Sequence, residues 1–106
     1  MATFLIVRHR SGPEWAPGRP LEEQSGWEAH AAYLDGLVAR GDLVLGGPLA
    51  DEHRVVLVAE AADEAGVRAL MDADPWTGSH LDTVSIERWT LRLDTRRTGP
   101  LARQNP

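Results

Sequence analysis

Cysteine and lysine are both missing from this sequence, so all 11 of its basic residues are arginine. Without cysteine there can be no disulfide bond, no thiolate nucleophile and no cysteine-ligated zinc or iron–sulfur centre. Without lysine there can be no Schiff-base catalysis by a lysine amine. Arginine is therefore the one strong cation available to a functional site.

Long hydrophobic runs are also scarce. The longest near the start is Phe4–Val7, and no basic segment precedes it. Such a run is too short for the core of a signal peptide or for a membrane span. The sequence therefore predicts a cytoplasmic protein with no membrane partner.

Positive charge is in the minority, with 11 basic against 16 acidic residues and a formal net charge of −5. This balance repels a phosphate backbone and argues against a nucleic-acid partner. The 106 residues, 42% of them apolar, suffice for one compact soluble domain but not for two separate cores.

The first half of the chain predicts a strand, a loop and a helix. Thr3–Arg8 is rich in β-branched and aromatic residues and predicts a buried strand. Gly12–Pro20 contains five Gly or Pro residues and predicts a long loop. Ser25 and Glu28 have the spacing of a capping box, and Gly41 suits a left-handed cap, so a helix is expected between them. Its predicted inward stripe consists of Trp27, His30, Ala31, Leu34, Leu37 and Val38.

The second half predicts a hairpin, a helix and a last strand. Leu43–Gly47 and Arg54–Ala59 are expected to pair antiparallel. A helix from Asp63 to Asp72 follows, and the fourth strand starts at Thr83 with a bulge near Glu87–Arg88. The small residues expected on the inward side of this helix are Ala62, Ala65, Gly66, Ala69 and Ala73.

The element order βαββαβ predicts an α+β, ferredoxin-like domain over residues 1–94, with a four-stranded antiparallel sheet and two helices on one face. The other sheet face would be bare, and pairing two sheets in a homodimer covers it. Residues 95–106 contain three arginines and are expected to form a loosely held tail.

Several of these residues, in this order and spacing, resemble the pattern of the YCII-related proteins. The resemblance spans about Thr3 to Leu93. It is carried by His30, Gly41, Gly46-Gly47-Pro48-Leu49, Ala65, Asp74-Pro75-Trp76 and Trp89. The sequence departs from the family pattern in its longer Gly/Pro loop and its arginine-containing tail.

The resemblance implies a dimeric α+β barrel, the superfamily that also contains muconolactone isomerases and cofactor-independent quinol monooxygenases. It further implies a cleft in which a histidine and an aspartate form a catalytic dyad, at positions matching His30 and Asp74. One type of family member removes chloride from a chlorinated hydroxyhydroquinone, so small oxygenated aromatics are the implied ligands.

The residues themselves leave two interpretations of each dyad position open. His30 lies on an apolar stripe and is either a hydrogen-bonded structural histidine or a general base. Asp74 precedes a proline and either forms the turn through its own backbone or holds the imidazole in one tautomer. In the functional interpretation, His30 removes a proton from a phenolic hydroxyl or from carbon next to a carbonyl.

Four further residues are candidates for substrate binding. Arg8, like Arg10 and Arg88, lies in or beside a strand and either stabilises developing negative charge or pairs at the surface. Tyr33 lies one turn beyond His30 and can donate a hydrogen bond. Trp15 in the loop and Trp76 either cover and stack on an aromatic ligand or pack structurally, as most tryptophans do.

No metal or cofactor is predicted, because the four histidines lack the spacing of a ligand pair and no phosphate-binding glycine motif is present. The sequence therefore predicts a cofactor-independent lyase or isomerase acting on a small cyclic or aromatic metabolite. Two alternatives remain open: a dimeric ligand-binding or accessory module without chemistry, and a cofactor-free quinol-type monooxygenase.

Overall fold

Seven elements make up the part of the chain that the computed structural model describes, residues 1–96. The strands are β1 (Ala2–Arg10), β2 (Leu43–Pro48), β3 (Arg54–Ala61) and β4 (Leu81–Arg88), and the helices are α1 (Trp27–Arg40), α2 (Glu64–Asp72) and a 3-10 turn (Leu21–Glu23). The predicted order βαββαβ is confirmed. The predicted loose tail lies outside the described residues from residue 97 onward.

The four strands form one antiparallel sheet in the order β2-β3-β1-β4. Alternation along β1 separates two faces, because successive side chains of a strand point to opposite sides. Phe4, Ile6 and Arg8 are buried on the side that the helices cover. The ferredoxin-like α+β fold predicted from the sequence is therefore observed.

The core lies between this sheet face and the helices. It is built from Ala2, Phe4, Ile6, Leu37, Leu43, Leu57, Ala59, Ala61, Val67, Met71 and Ile86. Arg8 continues the same strand face with its side chain fully buried. A charged residue thus occupies the position where the alternation of β1 calls for another apolar side chain.

The start of α1 differs from the prediction. Gly26, with φ 73°, is the N-cap, and no side chain of the described residues caps this end of the helix. Ser25 does not form the predicted capping box with Glu28, because its hydroxyl lies 3.0 Å from Nε2 of His80. The predicted left-handed cap at Gly41 is confirmed, with φ 81°.

The inward face of α2 also differs from the prediction. Asp63 caps the helix as expected, accepting a hydrogen bond from the Gly66 N–H. However, the buried residues are Val67 and Met71, whereas the alanines predicted to face inward are exposed. Two large apolar side chains four residues apart bury more surface than the alanines would, and they set the rotation of the helix.

The last strand begins earlier and bulges elsewhere than predicted. It starts at Leu81, and its pairing with β1 shifts register opposite Val7 and Arg8, not near Glu87–Arg88. Ser85 pairs with Val7 and Thr83 with Arg8, so Val84 is the extra residue. The predicted bulge rested on Trp89, Leu91 and Leu93, which fall on the opposite parity from Ile86, but no bulge is needed there because the chain leaves the sheet after Arg88.

Candidate active site

Three elements bring an imidazole, a carboxylate and a guanidinium together under the helices. His30 comes from α1, Arg8 from β1, and Asp74 from the turn after α2. All three are at least 95% buried. Burial of polar and charged groups is costly unless they are paired, so their mutual hydrogen bonds decide whether the arrangement is stable.

The Asp74 carboxylate is the centre of this cluster. Its Oδ1 lies 2.8 Å from His30 Nδ1 and accepts a 2.9 Å hydrogen bond from the Trp76 N–H. Its Oδ2 accepts a 2.7 Å hydrogen bond from Nη1 of Arg8. Burial acts to raise the pKa of Asp74. The hydrogen bonds from His30, the Trp76 N–H and Arg8, together with the charge interaction with His30, outweigh burial and hold the pKa below its ordinary value.

The ionised state of Asp74 fixes the orientation and tautomer of the imidazole. A carboxylate offers only acceptors, so Nδ1 of His30 carries a proton and donates a hydrogen bond to Asp74. Within residues 1–96, Nε2 of His30 has no hydrogen-bonding partner. This leaves Nε2 as the nitrogen available to a ligand.

A small cavity adjoins the imidazole. It has a volume of about 120 Å³ and is bordered by Arg8, Arg10, Leu21, Trp27, His30, Leu34, Gly46, Gly47, Pro48, Val55, Leu57, Trp76 and Leu81. Most of these side chains are apolar. An apolar cavity of roughly 150 Å³ can hold benzene, so the volume suits one ring.

Trp76 forms one wall of the cavity and is held between two histidines. Its ring stacks on His30 at a centroid distance of 4.1 Å and on His80 at 4.6 Å. Its indole N–H donates to the Ser25 carbonyl at 2.9 Å. The indole is thus fixed by three contacts, and it holds the His30 ring flat against it.

His80, on the far side of Trp76, was not among the residues that the sequence singled out for a role. Its Nδ1 lies 2.8 Å from the Ser79 hydroxyl and its Nε2 contacts the Ser25 hydroxyl. Burial lowers the pKa of His80, which favours the neutral ring. The geometry assigns His80 a packing contact with Trp76, outside the cavity.

Two of the predicted substrate-binding residues border the cavity and two do not. Arg8 and Trp76 are part of its wall. Tyr33 is not, because its hydroxyl donates to the Leu70 carbonyl at 2.6 Å and is thereby occupied. Trp15 packs edge-on against Trp76 at 5.9 Å and borders a separate, open hollow of the Gly/Pro loop.

Some residues of the site had no usable signal in the sequence. Thr77 accepts a 2.5 Å hydrogen bond from Nη2 of Arg8 and donates to the Met71 carbonyl, which completes the support of the guanidinium. Trp27, predicted only as part of the apolar stripe, borders the cavity. A threonine in a turn has no pattern that would have indicated a buried arginine as its partner.

Metal-ligating side chains are not clustered in the described region. No group of three or more His, Cys, Asp or Glu residues within residues 1–96 is placed to hold a metal ion. Over the same residues, no helix is both long and apolar enough to cross a membrane.

The fold and the site together define a ferredoxin-like α+β protein with a buried His–Asp–Arg cluster beside a ring-sized cavity. The family model of the YCII-related domain matches residues 3–90. The chain therefore belongs to the YCII-related family, as its sequence resemblance indicated. No curated protein matches the sequence.

Among solved structures, the chain is similar to the 5-chloro-2-hydroxyhydroquinone dehydrochlorinase TftG from Burkholderia phenoliruptrix AC1100, in complex with 2,5-dihydroxybenzoquinone. The two sequences are 30% identical and the TM-score is 0.59. The match covers 82% of this chain and 92% of the dehydrochlorinase chain. A solved relative that acts on a small hydroxylated ring thus shares the fold over most of both chains.

Proposed function

We propose that this protein is a cofactor-independent enzyme of the lyase or isomerase type that acts on a small hydroxylated ring. His30 is the general base, and Asp74 is the residue that positions it. The observation that carries the proposal is the imidazole itself: Nδ1 lies 2.8 Å from a buried carboxylate, while the same ring borders the cavity. A purely structural histidine has no need of an adjoining cavity.

The proposed roles follow from proton transfer at one nitrogen. Nε2 of His30 takes a proton from a ring hydroxyl, and Asp74 stabilises the resulting imidazolium through Nδ1–H. The imidazolium then returns the proton to a ring carbon, which turns one enol into a ketone. Without a leaving group on that carbon, the result is a tautomerisation.

With a halogen on the protonated carbon, the same base completes an elimination. Removal of a second hydroxyl proton forms a second carbonyl group, and the halide departs with the electrons of the carbon–halogen bond. The net change is loss of one hydrogen halide, and no oxidant is needed. The similarity to a dehydrochlorinase supports a substrate of this class.

Replacement of His30 by glutamine tests the proposal. We expect release of chloride from 5-chloro-2-hydroxyhydroquinone by the wild-type protein and a loss of about 10²- to 10⁴-fold in kcat for His30→Gln, because the base is gone. His53→Gln is the matched control, since His53 is exposed in the turn between β2 and β3. It should retain wild-type kcat.

The same assay separates the alternatives. Full activity in His30→Gln would refute the assignment of the base. Undiminished binding of 2,5-dihydroxybenzoquinone by wild type and variant, without turnover of any hydroxylated ring, would instead favour a ligand-binding module. Oxygen uptake with hydroquinones would favour the monooxygenase alternative.

We further propose that the protein works as a homodimer joined through the outer sheet faces. The support is the apolar character of that face, where Leu5 and Val7 of β1 are only partly buried and Leu45 of β2 is 62% exposed. Exposed apolar surface of this kind is typical of interaction sites. A two-fold axis through the sheet would cover it in both copies.

A further inference from the structure

Within residues 1–96, Arg10 is the one charged residue of the cavity wall whose charge is not balanced by a buried partner, and it also borders the hollow of the Gly/Pro loop. The described residues that border the cavity include two arginines and no aspartate or glutamate. The charge of Arg8 is neutralised by Asp74, at 2.7 Å. The ion-pair partner of Arg10 is Glu52, at 3.8 Å, and the Glu52 side chain is 74% exposed.

The Arg10 side chain itself is held in place and mostly dry. It is about nine-tenths buried, and its guanidinium carbon lies 4.8 Å from the centre of the Trp15 ring. Its Nε is buried and has no hydrogen-bond partner within the described residues. Burying a guanidinium without a buried counter-charge is costly, so an anionic ligand in the cavity would recover part of that cost.

Arg8 shares this feature. Its Nε is also buried and, within residues 1–96, unpartnered. Arg8 and Arg10 are two residues apart on β1, so their side chains lie on the same face of the sheet. The wall of an apolar, ring-sized cavity thus includes two arginine residues, and Asp74 neutralises the charge of one of them.

We propose that the cavity selects ligands in their anionic form, and that Arg10 is the specificity-determining residue that pairs with the oxyanion. The ligand class is a planar hydroxylated ring in an ionised form, such as a phenolate or a hydroxyquinone anion. This inference rests on the cavity being the ligand site of the proposed function, and it adds the charge of the ligand.

Binding of two ligands that differ in charge tests the inference. The first, 2,5-dihydroxybenzoquinone, is a vinylogous acid and is anionic at neutral pH, whereas hydroquinone is neutral and of similar size. We expect calorimetry at pH 7 to show tighter binding of the anion by the wild type. In Arg10→Gln, the Kd of 2,5-dihydroxybenzoquinone should rise by about tenfold or more, because a charged hydrogen bond is lost. The Kd of hydroquinone should stay within twofold.

Two further variants keep the test independent of folding. Arg54→Gln is the matched control, because Arg54 is an exposed arginine that pairs with Asp51 away from the cavity. Its Kd values should equal those of the wild type. Glu52→Gln removes the exposed counter-charge of Arg10 and should tighten binding of the anion without changing that of hydroquinone.

Three results would overturn the inference. They are equal affinity of the wild type for both ligands, an unchanged Kd of the anion in Arg10→Gln, and parallel weakening of both ligands in that variant. Failure of the proposed function is distinguishable from these. A protein that binds the anion through Arg10 but shows no turnover supports this inference and refutes the enzymatic proposal.

Discussion

At the residue scale, the site depends on Asp74 being ionised in a buried place. The carboxylate accepts hydrogen bonds from His30, Arg8 and the Trp76 N–H. When the carboxylate is protonated or replaced by an amide, its negative charge is lost and one of its two acceptor positions becomes a donor. Removal of one member of a buried ion pair costs about 3–5 kcal/mol, because the other charge stays buried and unpaired.

Asp74→Asn is therefore expected to lower the free energy of unfolding at pH 7 by about 3–5 kcal/mol, since Arg8 keeps its buried charge. Urea unfolding measures this change. Adding Arg8→Met to Asp74→Asn should recover part of the loss, because no charge then remains unpaired. Asp35→Asn is the control, since Asp35 is exposed on α1 and has no hydrogen bond or ion pair within residues 1–96, and it should change stability little. If Asp74→Asn alone were as stable as the wild type, this account of the cluster would be contradicted.

The lowered pKa of Asp74 also predicts the direction of a pH effect. A carboxylate with a folded pKa below its ordinary value of 3.8 stabilises the fold fully above that value. The stabilisation is lost as the pH falls through the lowered pKa. Asp74→Asn should consequently show a smaller loss of stability on acidification than the wild type, measured by unfolding between neutral and acidic pH.

Only part of this cluster could be predicted from sequence. His30 stands out because it interrupts an apolar helical stripe, and Asp74 because it matches a family position. The partnership of Arg8 with Asp74 is different, because the two residues are 66 positions apart and meet only through the fold. Alternation along β1 indicates that Arg8 points inward, but it cannot indicate what an inward arginine will contact.

At the element scale, the caps at Gly41 and Asp63 were predicted correctly, whereas the rotation of a short helix was not. Gly41 and Asp63 act through the backbone next to them, so their local sequence suffices. The inward face of α2 depends on what the helix packs against, and the side chains of Val67 and Met71 are buried instead of the smaller alanines. The start of α1 differs because Ser25 contacts His80 instead of capping the helix.

The two glycines of β2 predict a contrast between neighbouring substitutions. A Cβ at Gly46 would clash with the Leu57 side chain and lie 2.9 Å from the Val56 carbonyl oxygen, whereas a Cβ at Gly47 would have no heavy atom of residues 1–96 within 4 Å. Gly46→Ala should therefore lower the free energy of unfolding by about 1–3 kcal/mol. Gly47→Ala should change it by no more than about 1 kcal/mol. Thermal unfolding of both variants checks this, and equal effects would refute the close approach of β2 to β3.

At the scale of the whole molecule, the sheet separates two surfaces that differ in burial and composition. The helix-covered face contains the cluster and the cavity, and the outer face has apolar side chains that are partly or largely exposed, including Leu5, Val7 and Leu45. Element order was sufficient to predict this division, because it follows from the ferredoxin-like topology. The volume of the cavity was not predictable, since its lining comes from separate elements.

Substitution of Leu45 by glutamate tests the proposed dimer. We expect the wild type to sediment as a dimer and Leu45→Glu to dissociate, because the change buries like charges across a two-fold axis. Val38→Glu is the matched control, since Val38 is a similarly exposed apolar residue, at 54%, but lies on α1 in the opposite layer. Sedimentation of the wild type as a monomer, or equal behaviour of both variants, would reject the proposed interface.

The central claim, that Asp74 holds His30 so that Nε2 meets the ligand, is tested most directly by ¹⁵N NMR of the histidine side chains during titration with 2,5-dihydroxybenzoquinone. The account predicts a proton on Nδ1 of His30 and a ligand-dependent shift of its Nε2 resonance, with exposed His53 unaffected. A proton found on Nε2 alone, or His30 resonances that do not respond when the ligand binds, would contradict it.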